Sequence, residues 1–277
     1  MDSGGELQLR FFAALAEDRP DALFLAGDLG QRIFPAPFSW KALGVDIRGR
    51  SRTLPVYYRT SHQIRTQADR LLGPEVSDAD GNREDRTDTV SVFNGPPPAI
   101  AVHPDEEAEA QAVATWLAAR AAEGESPETM GVFVRSPSEL PRAVRAVERA
   151  GLHAGLLDER ASVPTGHVSV GTMHLAKGLE FGTVAVMACD DEVIPLQERI
   201  EAIGDEADLR EVYETERHLL YVACTRARDH LLVTGVEPGS EFLEDLGGVV
   251  PVLPDTAGSF EDEGMAQGGP RGILVGY

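Results

Sequence analysis

Short runs of continuous hydrophobic residues alternate along the chain with longer segments of helical spacing. Six runs have the length and composition of buried strands: 21–27, 98–103, 130–136, 167–173, 183–189 and 230–236. Four segments carry apolar residues at helical intervals: 5–18, 104–124, 136–151 and 206–228. Because the strand runs are nearly continuous in hydrophobic residues, they are typical of parallel strands covered on both faces. The pattern predicts an α/β fold with a parallel sheet flanked by helices.

Local sequence features indicate where some of these elements begin and end. Ser136, Pro137 and Glu139 match a capping box with proline in the first turn, and Gly151 marks the end of the same helix. Polar loops are predicted at 72–88 and 94–98, and an acidic, weakly ordered tail at 251–277.

Composition narrows the class of protein. With 277 residues, 42 % of them hydrophobic, the chain can form a substantial core. No apolar run is long enough to span a membrane, and the first ten residues do not resemble a secretion signal, so we expect a cytoplasmic protein with no membrane partner. Cys189 and Cys224 lie in apolar runs and are expected to be small core residues.

The charge distribution is uneven. The net charge is −21, from 46 acidic and 25 basic side chains, which opposes general affinity for nucleic acid because phosphate binding depends on Lys and Arg. Residues 41–65 are an exception, with six basic residues and a single acid, Asp46. Such a run is commonly a solvated surface, so the asymmetry alone does not decide the function.

Residues 23–65 contain the first candidate site. An apolar strand runs into Asp28 and Gln31, where a parallel strand would present side chains to a ligand crevice. Phe34, Phe38 and Trp40 follow beside basic residues. These aromatic rings could stack on nucleic-acid bases, or they could fill a core.

Residues 168–189 contain the second candidate site. A strand ends at Thr172, and a polar turn with His174, Lys177, Gly178 and Glu180 precedes the next strand. Lys177 and Lys41 are the only lysines of the chain, and both lie within the candidate segments.

The third candidate is an arginine in residues 212–228. Helical spacing places Arg226 on one stripe with Leu219, Val222 and Ala223, whereas Arg228 points away beside Arg217. A buried guanidinium requires an anionic partner. That partner is either a carboxylate of the protein or a phosphate, to which the forked guanidinium can donate two hydrogen bonds. Arg226 also has a purely structural explanation, because a positive charge is favoured near the C-terminus of a helix.

Together these segments resemble the UvrD/Rep-like helicases of superfamily 1. The similarity covers residues 7–236, and its specific parts lie at 23–65 and 167–236. "FLAGDLGQRIF" with "FSWKALG" is similar to motif III, "LPVYYRTSHQI" to motif IV, "VSVGTMHLAKGLEF" to motif V and "ETERHLLYVACTRARDHLLVTG" to motif VI. The order and spacing of the four motifs agree with the family.

The resemblance implies a motor of two RecA-like lobes that close on ATP and Mg²⁺ while single-stranded DNA is drawn across them, in the 3′ to 5′ direction. For the nucleotide it implies that Gln31 senses the γ-phosphate, Tyr58 stacks on adenine, Gly178 and Glu180 approach the ribose, and Arg59 and Arg226 are arginine fingers. For the DNA it implies contacts from Thr172 and His174 and base stacking by Phe34 and Trp40.

The sequence also departs from the family. GxxxxGK[ST], the phosphate-cradling Walker A loop, does not occur in it, and neither does the Walker B stretch "DEAQD". About 100 residues join Ser61 to Val168, so the extra domain that many relatives carry inside the second lobe is absent or reduced. We therefore divide the chain into a remnant of the first lobe (1–52), the second lobe (53–250) and the tail (251–277).

Two functions remain open at this point. The chain is either the C-terminal half of an ATP-dependent DNA helicase, inactive without a Walker A-bearing first lobe, or a non-catalytic nucleic-acid-binding or regulatory subunit derived from a helicase, whose acidic surface docks a protein partner. A free-standing nuclease is disfavoured, because the acidic run at 190–192 is interpreted as a solvated turn.

Overall fold

A computed structural model of the protein describes residues 10–15, 22–23, 56–72, 75–77, 83–85, 90–158 and 163–247. The helices are α1 (10–15), α2 (His62–Asp69), α3 (Glu106–Ala122), α4 (Leu140–Arg149), α5 (Gln197–Glu201), α6 (Glu206–Cys224) and α7 (Glu241–Asp245). The strands are β1 (Val56–Tyr57), β2 (Glu75–Ser77), β3 (Arg83–Asp85), β4 (Val90–Ser91), β5 (Ala99–His103), β6 (Met130–Val134), β7 (His153–Leu156), β8 (His167–Thr172), β9 (Phe181–Val186) and β10 (Ala227–Val236).

Six strands form one parallel sheet in the order β5-β10-β9-β6-β8-β7. Helices connect β5 to β6 (α3), β6 to β7 (α4) and β9 to β10 (α5 and α6), as is usual for crossovers between parallel strands, whereas a turn segment at 173–180 joins β8 to β9. The predicted α/β architecture is therefore confirmed. Among the described residues, no helix is long and apolar enough to cross a membrane.

The sheet is covered on both faces, and alternate residues of its central strands face opposite sides. Phe133, Val184 and Val186 pack in a cluster with residues of α2, α6 and α7. Val132 and Ala185 pack in a second cluster with α3 and α4. Burial of both faces explains why the strands are hydrophobic throughout. Cys189 and Cys224 are fully buried among the core residues of the first cluster, as the sequence predicts.

Two predicted helix boundaries are wrong. The helix predicted at 206–228 ends at Cys224, because the Thr225 hydroxyl and the Arg226 Nε donate to the last carbonyl groups of α6 and Ala227 already pairs with Phe181. The predicted capping box does not form either. The Ser136 hydroxyl lies 2.6 Å from that of Ser138 and caps no backbone group, and a 3-10 turn at Pro137–Glu139 precedes α4.

Several short elements were not predicted. The chain forms an antiparallel pair of β2 and β3 inside the segment predicted as a polar loop, 72–88. It also forms a parallel pair of β1 and β4, the helices α2, α5 and α7, and the edge strand β7. Each has ten residues or fewer, which is too short for a clear periodic pattern.

A buried ion cluster closes the carboxyl ends of β9 and β10. Arg142 of α4 donates its Nε to Glu109 of α3, and its Nη1 lies 2.6 Å from Asp190. Glu109 also accepts from the Thr234 hydroxyl and the Ala188 amide. Burial raises the pKa of Glu109, and the Arg142 guanidinium opposes that rise. The interpretation of 190–192 as a solvated turn is thus wrong for Asp190, although Asp191 and Glu192 are exposed.

Parts of the predicted domains lie outside the described residues. Of the first-lobe remnant (1–52), the structure describes only 10–15 and 22–23, and it describes nothing of the tail (251–277). All six strands of the main sheet lie within the predicted second lobe, 53–250.

Candidate functional site

Three separate segments meet at the amino ends of β9 and β10. The Thr60 hydroxyl lies 3.3 Å from the carbonyl oxygen of Thr225, and the Ser61 amide donates to the carbonyl oxygen of Arg228 at 3.1 Å. The Phe181 amide donates to the carbonyl oxygen of Arg226 at 3.0 Å. The residues similar to motifs IV, V and VI are therefore neighbours in space, and we call this group of segments (56–61, 178–181 and 225–228) the amino-edge site.

Arg59 is an exposed cation of the amino-edge site, as is Arg228. The Nε of Arg59 lies 3.3 Å from a carboxylate oxygen of Glu180, and the two side chains are 74 % and 46 % exposed. An ion pair this open to solvent contributes little to stability, typically about 0–1 kcal/mol. Arg59 can therefore leave Glu180 for another anion at little cost.

Arg226 is the buried cation of the same site and is only 5 % exposed, as its predicted stripe requires. Its Nε donates to the carbonyl oxygen of Val222 at 3.0 Å and its Nη1 to that of Leu179 at 3.3 Å. Its Nη2 lies 3.3 Å from the Thr225 hydroxyl. These three acceptors are neutral, and they hold the guanidinium in place between the end of α6 and the segment before β9.

Tyr58 presents its ring to solvent beside Arg59. The side chain is 71 % exposed, whereas the preceding Tyr57 is half-buried with the Arg65 guanidinium 5.0 Å from its ring centre. The open ring leaves a face on which a base can stack. In the segment of the amino-edge site that precedes β9, Gly178 has φ 86°, which a residue with a side chain rarely adopts.

Thr172 and His174 lie at the opposite ends of the strands from the amino-edge site, at the carboxyl ends, which we call the carboxyl edge of the sheet. Thr172 is the last residue of β8, and His174 is exposed in the turn that follows. Partial desolvation and the nearby Arg135 guanidinium lower the pKa of His174, which favours the neutral imidazole. Residues 173–180 thus run from the carboxyl edge, with the predicted DNA contacts, to the amino edge, with the predicted nucleotide contacts.

A second buried ion cluster lies near His174 and was missed by sequence reasoning. Glu216 of α6 accepts from Arg135 Nε and Nη2 at 2.5 and 2.6 Å and from Arg199 Nη1 at 2.8 Å. The helical spacing that places Arg226 on the buried stripe also places Glu216 within about 60° of Leu219 on that stripe. A buried carboxylate could therefore have been predicted, but its two partners could not.

Other candidate residues cannot be located. Gln31, Phe34 and Trp40, together with Asp28 and Phe38, lie outside the described residues. Among the residues that the structure does describe, no group of three or more His, Cys, Asp or Glu side chains could hold a metal ion.

Comparison with known proteins agrees with the motif resemblance. Residues 142–237 match the family model of the UvrD-like helicase C-terminal domain. The chain is similar to a probable DNA helicase II homolog of Rickettsia conorii, at 34 % identity over 95 residues, which are 33 % of this chain and 14 % of the relative. It is also similar to the putative ATP-dependent DNA helicase YjcD of Bacillus subtilis, at 48 % identity over 69 residues, which are 24 % of this chain and 9 % of the relative.

A solved structure is similar as well: the C-terminal domain of a possible DNA helicase from Lactobacillus plantarum WCFS1. It has 25 % identity and a TM-score of 0.47, and the match covers 68 % of this chain and 93 % of that one. The matched segments make up less than a sixth of the length of the two curated relatives. The family match includes Thr172, His174, Gly178, Glu180 and Arg226, whereas Tyr58 and Arg59 precede it. Residues 142–237 of this chain are therefore similar to the C-terminal domain of UvrD-like helicases.

Proposed function

We propose that this chain is the second lobe of an ATP-dependent helicase that moves 3′ to 5′ along single-stranded DNA. The observation that supports this most is the amino-edge site, where an open aromatic ring, an exposed arginine and a buried arginine come together from distant parts of the chain. A ring to stack on a base and two cations for phosphates match the chemistry of a nucleoside triphosphate.

ATP supplies the phosphoryl group whose transfer to water drives such a motor. In this proposal Tyr58 stacks on the adenine, while Gly178 and Glu180 lie near the ribose. Arg59 and Arg226 place positive charge at the phosphates, where an arginine finger stabilises the charge that develops during transfer. Gln31, outside the described residues, is proposed to sense the γ-phosphate.

The chain has no Walker A sequence, and its described residues include no cluster of metal ligands. Mg²⁺ and the triphosphate are therefore proposed to be held by a Walker A-bearing lobe. We use "complete motor" for this chain together with such a lobe. The carboxyl edge, with Thr172 and His174, is proposed to contact the DNA, and Phe34 and Trp40 to stack on its bases.

Replacing Tyr58 with alanine tests the nucleotide role. In the complete motor we expect the KM for ATP to rise roughly 5- to 150-fold, because stacking of a base on an aromatic ring contributes about 1–3 kcal/mol. The free energy of unfolding should not change, because the side chain is 71 % exposed. Val90→Ala, an exposed apolar residue of the neighbouring strand β4, is the control and should leave KM unaltered. An unchanged KM in Tyr58→Ala would remove this residue from the site.

The alternative is a non-catalytic nucleic-acid-binding or regulatory subunit. The net charge of −21 favours it, since an acidic surface suits a basic protein partner better than DNA. The two functions differ in whether ATP hydrolysis requires Arg59: the helicase lobe needs it as an arginine finger, whereas a regulatory subunit does not. ATP hydrolysis that is indifferent to Arg59 and Tyr58, in an assembly containing this chain, would support the regulatory function.

A further inference from the structure

The cluster around Glu216 has unbalanced charge. Glu216 is fully buried, and Arg135, which holds it through two donors, is only 5 % exposed. Arg199 donates to the same carboxylate through Nη1 at 2.8 Å. One carboxylate therefore faces two guanidinium groups, which leaves one positive charge in excess.

The excess charge reaches the surface at Arg199. Its side chain is 31 % exposed and uses Nη1 on Glu216. Within the described part of the chain, its Nε and Nη2 donate to no protein acceptor, so part of the guanidinium fork remains open. Surface arginines elsewhere are balanced differently: Arg145 pairs with Glu106 and Arg149 with Glu107, one acid to each base.

The position of Arg199 suits a ligand at the carboxyl edge of the sheet. Helix α5 follows the turn after β9, and Arg135 directly follows β6, so both arginines come from carboxyl ends of parallel strands. Burial is the main cause that lowers the pKa of His174; the charges of Arg135 and Arg199 lower it further, and that of Glu216 raises it. His174 therefore lies beside a cluster in which two guanidinium groups share one carboxylate, in a chain that is strongly acidic overall.

We propose that Arg199, held in place by Glu216, binds a backbone phosphate of single-stranded DNA beside His174. This inference rests on the proposed function and adds a DNA contact to it. A phosphate diester fits because it is anionic and accepts the paired donors of an arginine fork. Glu216 fixes one arm of the fork, so less side-chain freedom is lost when the phosphate binds.

The test is binding of the 277-residue chain to a fluorescein-labelled oligothymidine, measured by anisotropy at several salt concentrations. Arg199→Gln is expected to weaken binding roughly tenfold, the effect of losing a charged hydrogen bond. It should also reduce the slope of log affinity against log salt by about 0.7, the value for one phosphate contact on a single strand. Arg199→Lys keeps the charge and should keep the slope.

Arg145→Gln is the matched control, since it removes one exposed arginine from α4 and changes the net charge equally. It should leave affinity and salt slope close to those of the unaltered chain. In the unaltered protein, the Arg199 Nε–H resonance should shift when the oligonucleotide is added, and that of Arg145 should not. This second measurement does not depend on how any variant folds.

The outcomes separate the two claims. Absence of oligonucleotide binding by the unaltered chain would contradict the DNA contacts of the proposed function itself. Binding that Arg199→Gln and Arg145→Gln affect equally, with no shift of the Arg199 resonance, would overturn the Arg199 contact and leave the proposed function standing.

Discussion

Replacing Arg59 with alanine is expected to lower the DNA-stimulated ATPase rate of the complete motor roughly 10³-fold, the lower end of the range for an arginine finger. The protein should fold as before, because the side chain is 74 % exposed and pairs only loosely with Glu180. We expect the free energy of unfolding to change by less than about 0.5 kcal/mol. A steady-state ATPase assay and urea unfolding of the same preparation measure both quantities.

Arg145→Ala is the control, because that arginine is also exposed and paired with an acid but lies on α4. Its ATPase rate should equal that of the unaltered motor. A decrease of less than tenfold in Arg59→Ala would contradict its role as a finger.

Arg226 needs a different substitution. Alanine would remove three hydrogen bonds that join the end of α6 to Leu179 and Thr225, so a loss of rate could reflect a loss of structure. Arg226→Lys keeps a cation but not the planar fork, and we expect it to lower the rate by a similar factor of roughly 10³. The DNA affinity of the isolated chain should not change, because Thr172 and His174 lie at the other edge of the sheet.

The largest effect on stability is expected for Glu109→Ala. This substitution removes one of the acids that face the buried Arg142, leaving Asp190 and, at 3.7 Å, Glu139, and it removes the acceptor of the Thr234 hydroxyl and the Ala188 amide. Breaking a buried ion pair typically costs about 3–5 kcal/mol, because the remaining charge and polar groups lose their close partner. We expect the free energy of unfolding, measured with urea, to fall by this amount.

Glu106→Ala on the same helix provides the comparison, since its pair with Arg145 is exposed and should contribute no more than about 1 kcal/mol. Equal effects of the two substitutions would show that the buried cluster does not hold α3 and α4 together.

The main features of the fold could be predicted from local sequence. Fully hydrophobic runs such as 130–136 and 183–189 predicted buried parallel strands, and the central strands of the sheet lie there with shifts of a few residues at their ends. Arg226 was correctly expected to be buried, although α6 ends two residues earlier, because the turn at 225–226 stays packed on the core.

Features that depend on distant partners could not be predicted. Arg135 and Glu216 are 81 residues apart in sequence, and Glu109 and Thr234 are 125 apart. In the sequence, Asp190 belongs to an acidic run that is typical of an exposed turn. In the structure it accepts from Arg142 and from the Val236 amide, both of which are distant in sequence. Local composition does not predict whether such a side chain is buried, because burial depends on which elements pack against it in the fold.

The location of the proposed nucleotide contacts was also not evident from strand order. The rule that ligands bind at the carboxyl ends of parallel strands pointed to Asp28 and Gln31, outside the described residues. Glu180 and Arg226 instead directly precede β9 and β10. The proposed function accounts for this difference, because side chains that act on phosphates held by another lobe would lie at whichever end of the strands faces that lobe.

The central claim is that these arginines act on a triphosphate held by a different lobe, and ATP turnover tests it most directly. The purified 277-residue chain should hydrolyse no ATP, with or without single-stranded DNA, once contaminating motors are excluded. The complete motor should hydrolyse ATP at a rate that DNA stimulates and that Arg59→Ala lowers roughly 10³-fold. Hydrolysis by the isolated chain, or full activity of the complete motor carrying both Arg59→Ala and Arg226→Lys, would contradict the claim.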